Sequence, residues 1–321
     1  MEERLLQALL SGLALGSLYA LIAQGYYITY TTTNIVNFAQ GEFLMVGALI
    51  ALSFYAGTRL FPNPMFGLNL RTVVGGGMPA LLAAVIVVLL LALMGVGLER
   101  LAIRPLKEFT AVGWIMSTVG VSVALRGVAQ LLWGPDPQRF VSPVRGMTDA
   151  LGIDAVWHPT ARTGITWHEV TVFVVAILVM GGLVLFLQRT LLGKAMVAVA
   201  FNKQAAALMG INVRRVTILA YALSAALAGI GGIMVAPIID PNPQMGVVIG
   251  LKAFAAAIIG GLENPFGILV GGLLMGIIEQ LVQNLVPNGS SWRDASVFVL
   301  IILLLAVRPT GLFGKQLVRK F

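Results

Sequence analysis

Nine apolar stretches, most of them about as long as a membrane-spanning helix, divide this sequence. A helix needs about 20 mostly apolar residues to cross the hydrocarbon core of a bilayer. Hydrophobic residues make up 58% and charged residues 11% of the 321 residues, so a water-soluble protein could not cover its apolar surface with polar groups. The sequence predicts an all-α membrane protein with about nine spans, within a range of eight to ten. The stretches are residues 5–28, 36–56, 79–98, 112–133, 170–188, 216–239, 247–262, 265–285 and 295–307.

The net charge of +8 is concentrated in three loops, 99–110, 189–215 and 308–321, which hold twelve of the 21 lysines and arginines. Loop 134–169, by contrast, balances its arginines with carboxylates. Positive loops stay in the cytoplasm, so we expect the three basic loops and the C-terminus there, loop 134–169 in the periplasm and the N-terminus outside. This topology requires an even number of spans in 247–285, although a pair of half-helices is an alternative there. Nucleic-acid binding is not predicted, because the basic stretches are short and flank spans.

The chain lacks the motifs of nucleotide-binding and hydrolytic proteins. It has no G-x-x-x-x-G-K-[ST], H-E-x-x-H or G-x-S-x-G sequence and no cysteine. His158 and His168 fall in one outside loop, where interfacial histidines are more common than a metal pair. We therefore predict one transmembrane domain over 1–321 that is not an enzyme and binds no metal or cofactor.

A few polar side chains fall at membrane depth, where a charge costs at least about 2.5–3.5 kcal/mol and usually faces a bundle interior or an aqueous path. We predict that six of them lie on a translocation path or its gate: Asn34, Asn37, Gln40, Glu42, Lys252 and Glu279. Arg126 is a further charge at this depth. Alternatives remain open: Asn34 and Asn37 could cap helices, the helix dipole could stabilise Glu42, and Lys252 and Glu279 could pair or reach an interface.

The basic loop 189–215 contains an alanine-rich segment that predicts a short helix ending at Gly210. Such a helix could dock on a soluble partner or lie in the headgroup layer. Elsewhere, Gly12-x-x-x-Gly16 and Gly272-x-x-x-Gly276 predict close helix packing, more within one subunit than between subunits.

Five segments, in order along nearly the whole chain, resemble those of a known family. VNFAQGEF at 36–43 is similar to its NFA(H)GE signature, and AAALMGIN at 205–212 with SAALAGIGG at 224–232 resembles its coupling loop and the following helix. KAFAAAIIGG at 252–261, GGLLMG at 271–276 with Glu279, and RPTGLFG at 308–314 resemble its C-terminal signatures. The family is that of the permease subunits of branched-chain amino-acid ABC importers, and the N-terminal motif is closest to the LivH type.

The resemblance implies a multi-pass subunit of the bacterial inner membrane, paired with a second, LivM-like permease. Two cytoplasmic ATPases would bind and hydrolyse ATP, which agrees with the missing phosphate loop, and a periplasmic binding protein would deliver the substrate. The resemblance also implies that the short helix docks on an ATPase; its expected residues are Asn202, Ala205, Ala206, Met209 and Gly210.

Gln40 stands where the family often has histidine, so a hydrogen-bonding rather than a titratable role is expected there. Relatives carry neutral amino acids, amides, urea or aromatic acids, so the exact substrate stays open. The alternative function is that of a stand-alone, ion-coupled secondary transporter that would use Glu42 and Glu279 as ion sites.

Overall fold

The computed structural model describes residues 2–55, 79–106, 111–160, 163–308 and 310–314. Within these ranges the chain forms 12 helices and a two-stranded antiparallel sheet. Four residues of the predicted basic loops lie outside the described residues: Lys107, Lys315, Arg319 and Lys320. The elements are α1 (Glu2–Thr33), α2 (Gln40–Tyr55), α3 (Ala80–Leu98), α4 (Ala111–Trp133), α5 (Pro143–Leu151), β1 (Val156–Thr160), β2 (Thr163–Thr166), α6 (Trp167–Arg189), α7 (Leu191–Phe201), α8 (Lys203–Leu208), α9 (Val213–Val235), α10 (Met245–Gly260), α11 (Pro265–Leu285) and α12 (Gly289–Val307).

Each predicted apolar stretch coincides with a helix, which confirms the all-α membrane fold. Among the described residues, seven helices are long and apolar enough to cross a membrane: α1, α3 with the π-helical turn Glu99–Ile103 that extends it, α4, α6, α9, α11 and α12. The other two, α2 and α10, have 16 residues each. At 1.5 Å per residue that is about 24 Å, less than the roughly 30 Å core. Of the pair considered as half-helices, only α10 is short, because α11 has 21 residues.

The basic loop 189–215 contains two helices, α7 and α8, where the sequence predicted only the second. Polar side chains start both of them and the next helix: Thr190 accepts from the Gly193 N–H, Asn202 from the Ala205 N–H, and Asn212 from the Arg215 N–H. These are N-caps, which satisfy amide donors that have no partner inside the helix. Closely spaced caps therefore break this part of the chain into short helices.

The described residues form two compact units. The first unit comprises Met1–Tyr27, Val144–Val184 and Lys252–Phe321, and the second comprises Ile28–Pro143 and Leu185–Leu251. The unit boundaries fall inside α1, α6 and α10 and at the start of α5. A single permease domain over 1–321 stays a prediction.

In the first unit, glycines bring α1 and α11 into backbone contact. A Cβ at Gly276 would lie 2.2 Å from the backbone nitrogen of Gly16, and a Cβ at Gly12 would lie 2.7 Å from the Cα of Ile277. Only glycine permits such an approach, so the two glycine pairs pack against each other within the chain, as predicted. The β1–β2 hairpin joins this unit through Gln7, whose amide exchanges two hydrogen bonds with the backbone of Gly164.

In the second unit, α9 packs between α2 and α3. A Cβ at Gly95 of α3 would lie 2.3 Å from the Tyr221 carbonyl oxygen, and one at Gly232 of α9 would lie 2.3 Å from the Leu44 carbonyl oxygen. The Gly232–Leu44 approach holds α2, which carries several of the predicted site residues, against the last turns of α9.

Candidate functional site

The turn that leads into α2 holds the first two predicted site residues in different environments. Asn34 is exposed and ends α1 in the left-handed conformation, with a φ of 60°. Asn37 is fully buried, and its side-chain oxygen accepts a hydrogen bond from the Ala39 N–H at 3.1 Å. Its amide nitrogen has no hydrogen-bond partner among the described residues. Both asparagines thus shape helix ends, as one alternative held, while Asn37 keeps an unused donor inside the protein.

Gln40 joins α2 to α9 through a reciprocal pair of hydrogen bonds. Its amide nitrogen donates to the Ser224 carbonyl oxygen at 3.0 Å, and the Ser224 hydroxyl donates to its amide oxygen at 2.7 Å. Both side chains are fully buried. This arrangement agrees with the hydrogen-bonding role expected for glutamine at this position.

Glu42 is a buried carboxylate with one oxygen fully engaged and the other unpaired. Oε1 accepts from Arg126 Nη2 at 2.6 Å and from Ser122 Oγ at 3.1 Å. Oε2 has no hydrogen-bond partner within the described ranges and faces Gly246 in the first turn of α10, where a Cβ would lie 2.6 Å away. The N-terminal ends of α2 and α10 both favour a negative charge. A side chain larger than hydrogen at residue 246 would collide with this carboxylate.

The partners of Glu42 belong to one face of α4. Thr118, Ser122 and Arg126 are spaced four residues apart and so line one side of the helix. Thr118 adds a long contact of 3.4 Å from the Phe38 N–H. The Arg126 side chain remains 31% exposed, so the ion pair is open on one side. The sequence identified Arg126 as a charge at membrane depth but not Ser122 as its neighbour; the four-residue spacing of the polar side chains in α4 could have predicted this polar face.

A second group of charges lies in the first unit, around Glu279. Lys252 Nζ is 2.7 Å from Glu279 and 2.6 Å from Asp294, and the Arg293 guanidinium also pairs with Glu279. The Tyr19 hydroxyl donates to the same carboxylate at 2.8 Å. Lys252 and Glu279 are buried, which confirms the pairing alternative and contradicts the one in which either reaches an interface. Two cations face two anions, so the cluster is neutral overall.

Three members of this cluster, Tyr19, Arg293 and Asp294, were not predicted from the sequence. The last apolar stretch begins at residue 295, whereas α12 begins at Gly289. Polar residues in the first two turns of α12 lower the hydropathy there, so the predicted span started too late. The early start of α12 places Arg293 and Asp294 inside the helix.

The short helix predicted in loop 189–215 is present as α8. Its last helical residue is Leu208, and Gly210, two residues later, has the left-handed φ of +83° expected of a glycine that stops a helix. Ala206 is its one buried residue and is covered by this chain itself. Leu208 and Met209 are 89% and 83% exposed. Both side chains are therefore apolar surface that this chain does not cover itself.

Residues 8–307 match the family model of the branched-chain amino acid transport system permease component. The permease protein BraD of Pseudomonas aeruginosa is 35% identical over 318 residues, 98% of this chain and 97% of that protein. The permease protein LivH of Escherichia coli K12 is 31% identical over 98% of this chain and 97% of its own length. A probable LivH protein of Methanocaldococcus jannaschii is 31% identical and covers 93% of this chain and 89% of its own. The chain therefore belongs to the family of permease components of branched-chain amino acid transport systems.

Proposed function

We propose that this chain forms part of the membrane path of an ABC importer for branched-chain amino acids or related small polar solutes. It pairs with a second, LivM-like permease, receives substrate from a periplasmic binding protein, and is driven by two cytoplasmic ATPases that bind the ATP. Similarity over nearly the full length of transport permeases from three organisms supports this proposal. A stand-alone secondary transporter is not favoured, because these relatives are components of transport systems.

The proposed orientation in the inner membrane rests on charge. Loop 189–215 has five basic residues and no carboxylate, and we place it in the cytoplasm together with Arg308 and the C-terminus. The same rule puts loop 134–169, with its β hairpin, in the periplasm. A reporter fused after Arg215 tests this orientation: activity only in its cytoplasmic form is expected, and periplasmic activity would overturn it.

The observation that carries the coupling role is the exposed apolar end of α8. Leu208 is the last residue of the six-residue helix α8, and Met209 follows it directly before Gly210; both apolar side chains are exposed. Apolar side chains of this size gain about 1.5–3 kcal/mol each when they are covered. We therefore propose that α8 docks in a groove of an ATPase, with Ala206 facing its own chain and Leu208 and Met209 facing the partner.

Replacing Leu208 by glutamate tests the docking. A charge buried without a partner in the groove would cost several kcal/mol, so the tagged permease should insert normally and lose its ATPases during purification. Leu151→Glu is the matched control, because Leu151 is 66% exposed but belongs to α5 in loop 134–169. Retention of ATPases and normal ATP hydrolysis in Leu208→Glu would mean that α8 lies on the membrane.

The start of α2 is the proposed path or gate in the second unit, and Lys252 with Glu279 is the proposed path element in the first. Glu42 and Asn37 each keep a buried polar atom that has no hydrogen-bond partner in the part of the chain that the structure describes, which supports the first assignment because unsatisfied buried groups are costly. Glu42→Gln should lower the uptake rate while the complex still assembles, and Ser122→Ala, which removes only the 3.1 Å hydrogen bond, should lower it less. Poor assembly of Glu42→Gln with normal uptake per assembled complex would make Glu42 purely structural.

A further inference from the structure

The first residue of α8 reaches back to the end of α1. Lys203 Nζ donates a hydrogen bond to the main-chain carbonyl oxygen of Thr33 at 3.1 Å. The two residues are 170 positions apart, and both belong to the second unit. Thr33 is the last residue of α1, so its carbonyl has no acceptor role inside that helix. A lysine ammonium at this position also complements the negative end of the helix dipole.

Interactions other than this hydrogen bond also fix the end of α1. The Thr33 hydroxyl donates to the Thr29 carbonyl oxygen at 2.6 Å, and the next residue, Asn34, adopts a left-handed conformation that stops the helix. Six residues, 34–39, then lead to the first residue of α2. A shift of Thr33 is therefore passed along a short and sharply bent segment to buried Asn37 and to Glu42.

Lys203 is an unusual side chain for a polar loop. The residue is exposed overall, yet partial desolvation lowers the pKa of its ammonium from the ordinary value for lysine. The hydrogen bond to Thr33 offsets part of this desolvation cost. A lysine that merely kept the loop soluble would extend into water, as Lys194 of α7 can, because Lys194 is exposed and has no salt bridge within the described ranges.

We propose that Lys203 is a positioning residue that links the docking helix α8 to the α1–α2 turn, so that movement of α8 shifts the segment carrying Asn37 and Glu42. This inference rests on the proposed docking of α8 on an ATPase. The two ends of α8 have different contacts. Lys203 at its start bonds to Thr33 of this chain, whereas Leu208 at its end is exposed and free to contact the partner. Hydrogen bonds between rigid elements are one physical means by which coupling passes between two sites.

The test compares Lys203→Met, Lys203→Arg and the control Lys194→Met in the complete complex, with all values taken per inserted complex. Lys203→Met should still purify with its ATPases, while substrate-stimulated hydrolysis and uptake fall by about 2- to 30-fold, the range in which residues between two sites modulate their coupling. Lys203→Arg, which keeps a charged donor, should recover part of the loss, and Lys194→Met should behave as wild type.

A distance measurement separates coupling from simple stabilisation. The chain has no cysteine, so cysteines introduced for spin labels at half-buried Val36 of the α1–α2 turn and at exposed Val128 of α4 are the only ones present. The distance between these labels should change on ATP addition in the wild-type background and not in Lys203→Met. An unaltered distance change, or full uptake by Lys203→Met, would overturn the proposal. Loss of ATPases from Lys203→Met would overturn it too, by making Lys203 a docking residue, whereas normal docking of Leu208→Glu would refute the proposed docking of α8 instead.

Discussion

Replacing Glu279 by glutamine should destabilise the chain far more than replacing Asp294 by asparagine. Glu279 is fully buried and accepts hydrogen bonds from Lys252, Arg293 and Tyr19. The glutamine variant leaves the buried Lys252 ammonium with Asp294 alone and leaves Arg293 without its carboxylate. Removing one partner of a buried ion pair costs about 3–5 kcal/mol, because the other charge stays buried and uncompensated.

Asp294 provides the matched control, because it contacts the same lysine at 2.6 Å but its side chain is 63% exposed. Exposed pairs contribute about 0–1 kcal/mol, so water can replace this carboxylate at little cost. The two variants should therefore differ by at least about 2 kcal/mol, or roughly 30-fold in the unfolding equilibrium. Denaturant titration of the purified chain in detergent, followed by tryptophan fluorescence, measures this difference.

The double variant Lys252→Met/Glu279→Leu separates charge pairing from packing. Replacing a buried ion pair by apolar side chains is often neutral or stabilising. The double variant should therefore lose less stability than the single variants Lys252→Met and Glu279→Leu lose together. The coupling between neighbouring groups of this kind is about 0.5–3 kcal/mol. Equal losses in Glu279→Gln and Asp294→Asn, or strictly additive losses in the double variant, would refute the reasoning.

Two further predictions concern local geometry. Gly276→Val should abolish accumulation of folded chain, because a Cβ there would lie 2.2 Å from the backbone of Gly16, whereas Gly120→Val, with nothing within 4 Å, should be tolerated in size-exclusion profiles; equal profiles would contradict the close α1–α11 packing. Asn202→Ala removes the cap of α8 and should cost about 1 kcal/mol, which raises amide hydrogen exchange in α8 about fivefold. Unchanged exchange would show that the side chain of Asn202 does not stabilise this helix.

Each of the nine apolar stretches coincides with a helix among the described residues, because lipid leaves backbone polar groups no partner outside the helix and so demands long apolar segments. Hydropathy did not predict the structure of segments that do not have to cross the membrane. Helix α7 has 11 residues, too few for a span, so hydropathy does not predict it. The second stretch was predicted to begin at 36, but α2 begins at Gln40, because residues 34–39 form the turn around Asn37.

The sequence predicted which polar residues are buried better than it predicted the partners that these residues contact. Burial of polar groups identified Glu42, Lys252 and Glu279 from the sequence alone, since each is costly at membrane depth. Their partners are distant in the chain: Arg126 is 84 residues from Glu42, and Tyr19 is 260 residues from Glu279. Local sequence patterns carry no record of such long-range pairing, which is decided by how helices pack.

Uptake by proteoliposomes tests the central claim most directly. The chain would be reconstituted with its second permease, with and without the ATPases, together with the binding protein and radiolabelled leucine. We predict uptake that requires the ATPases and ATP, persists when ionophores collapse all ion gradients, and falls in Leu208→Glu. Uptake by the permeases alone that stops when the ion gradients are collapsed would contradict the account and identify a secondary transporter.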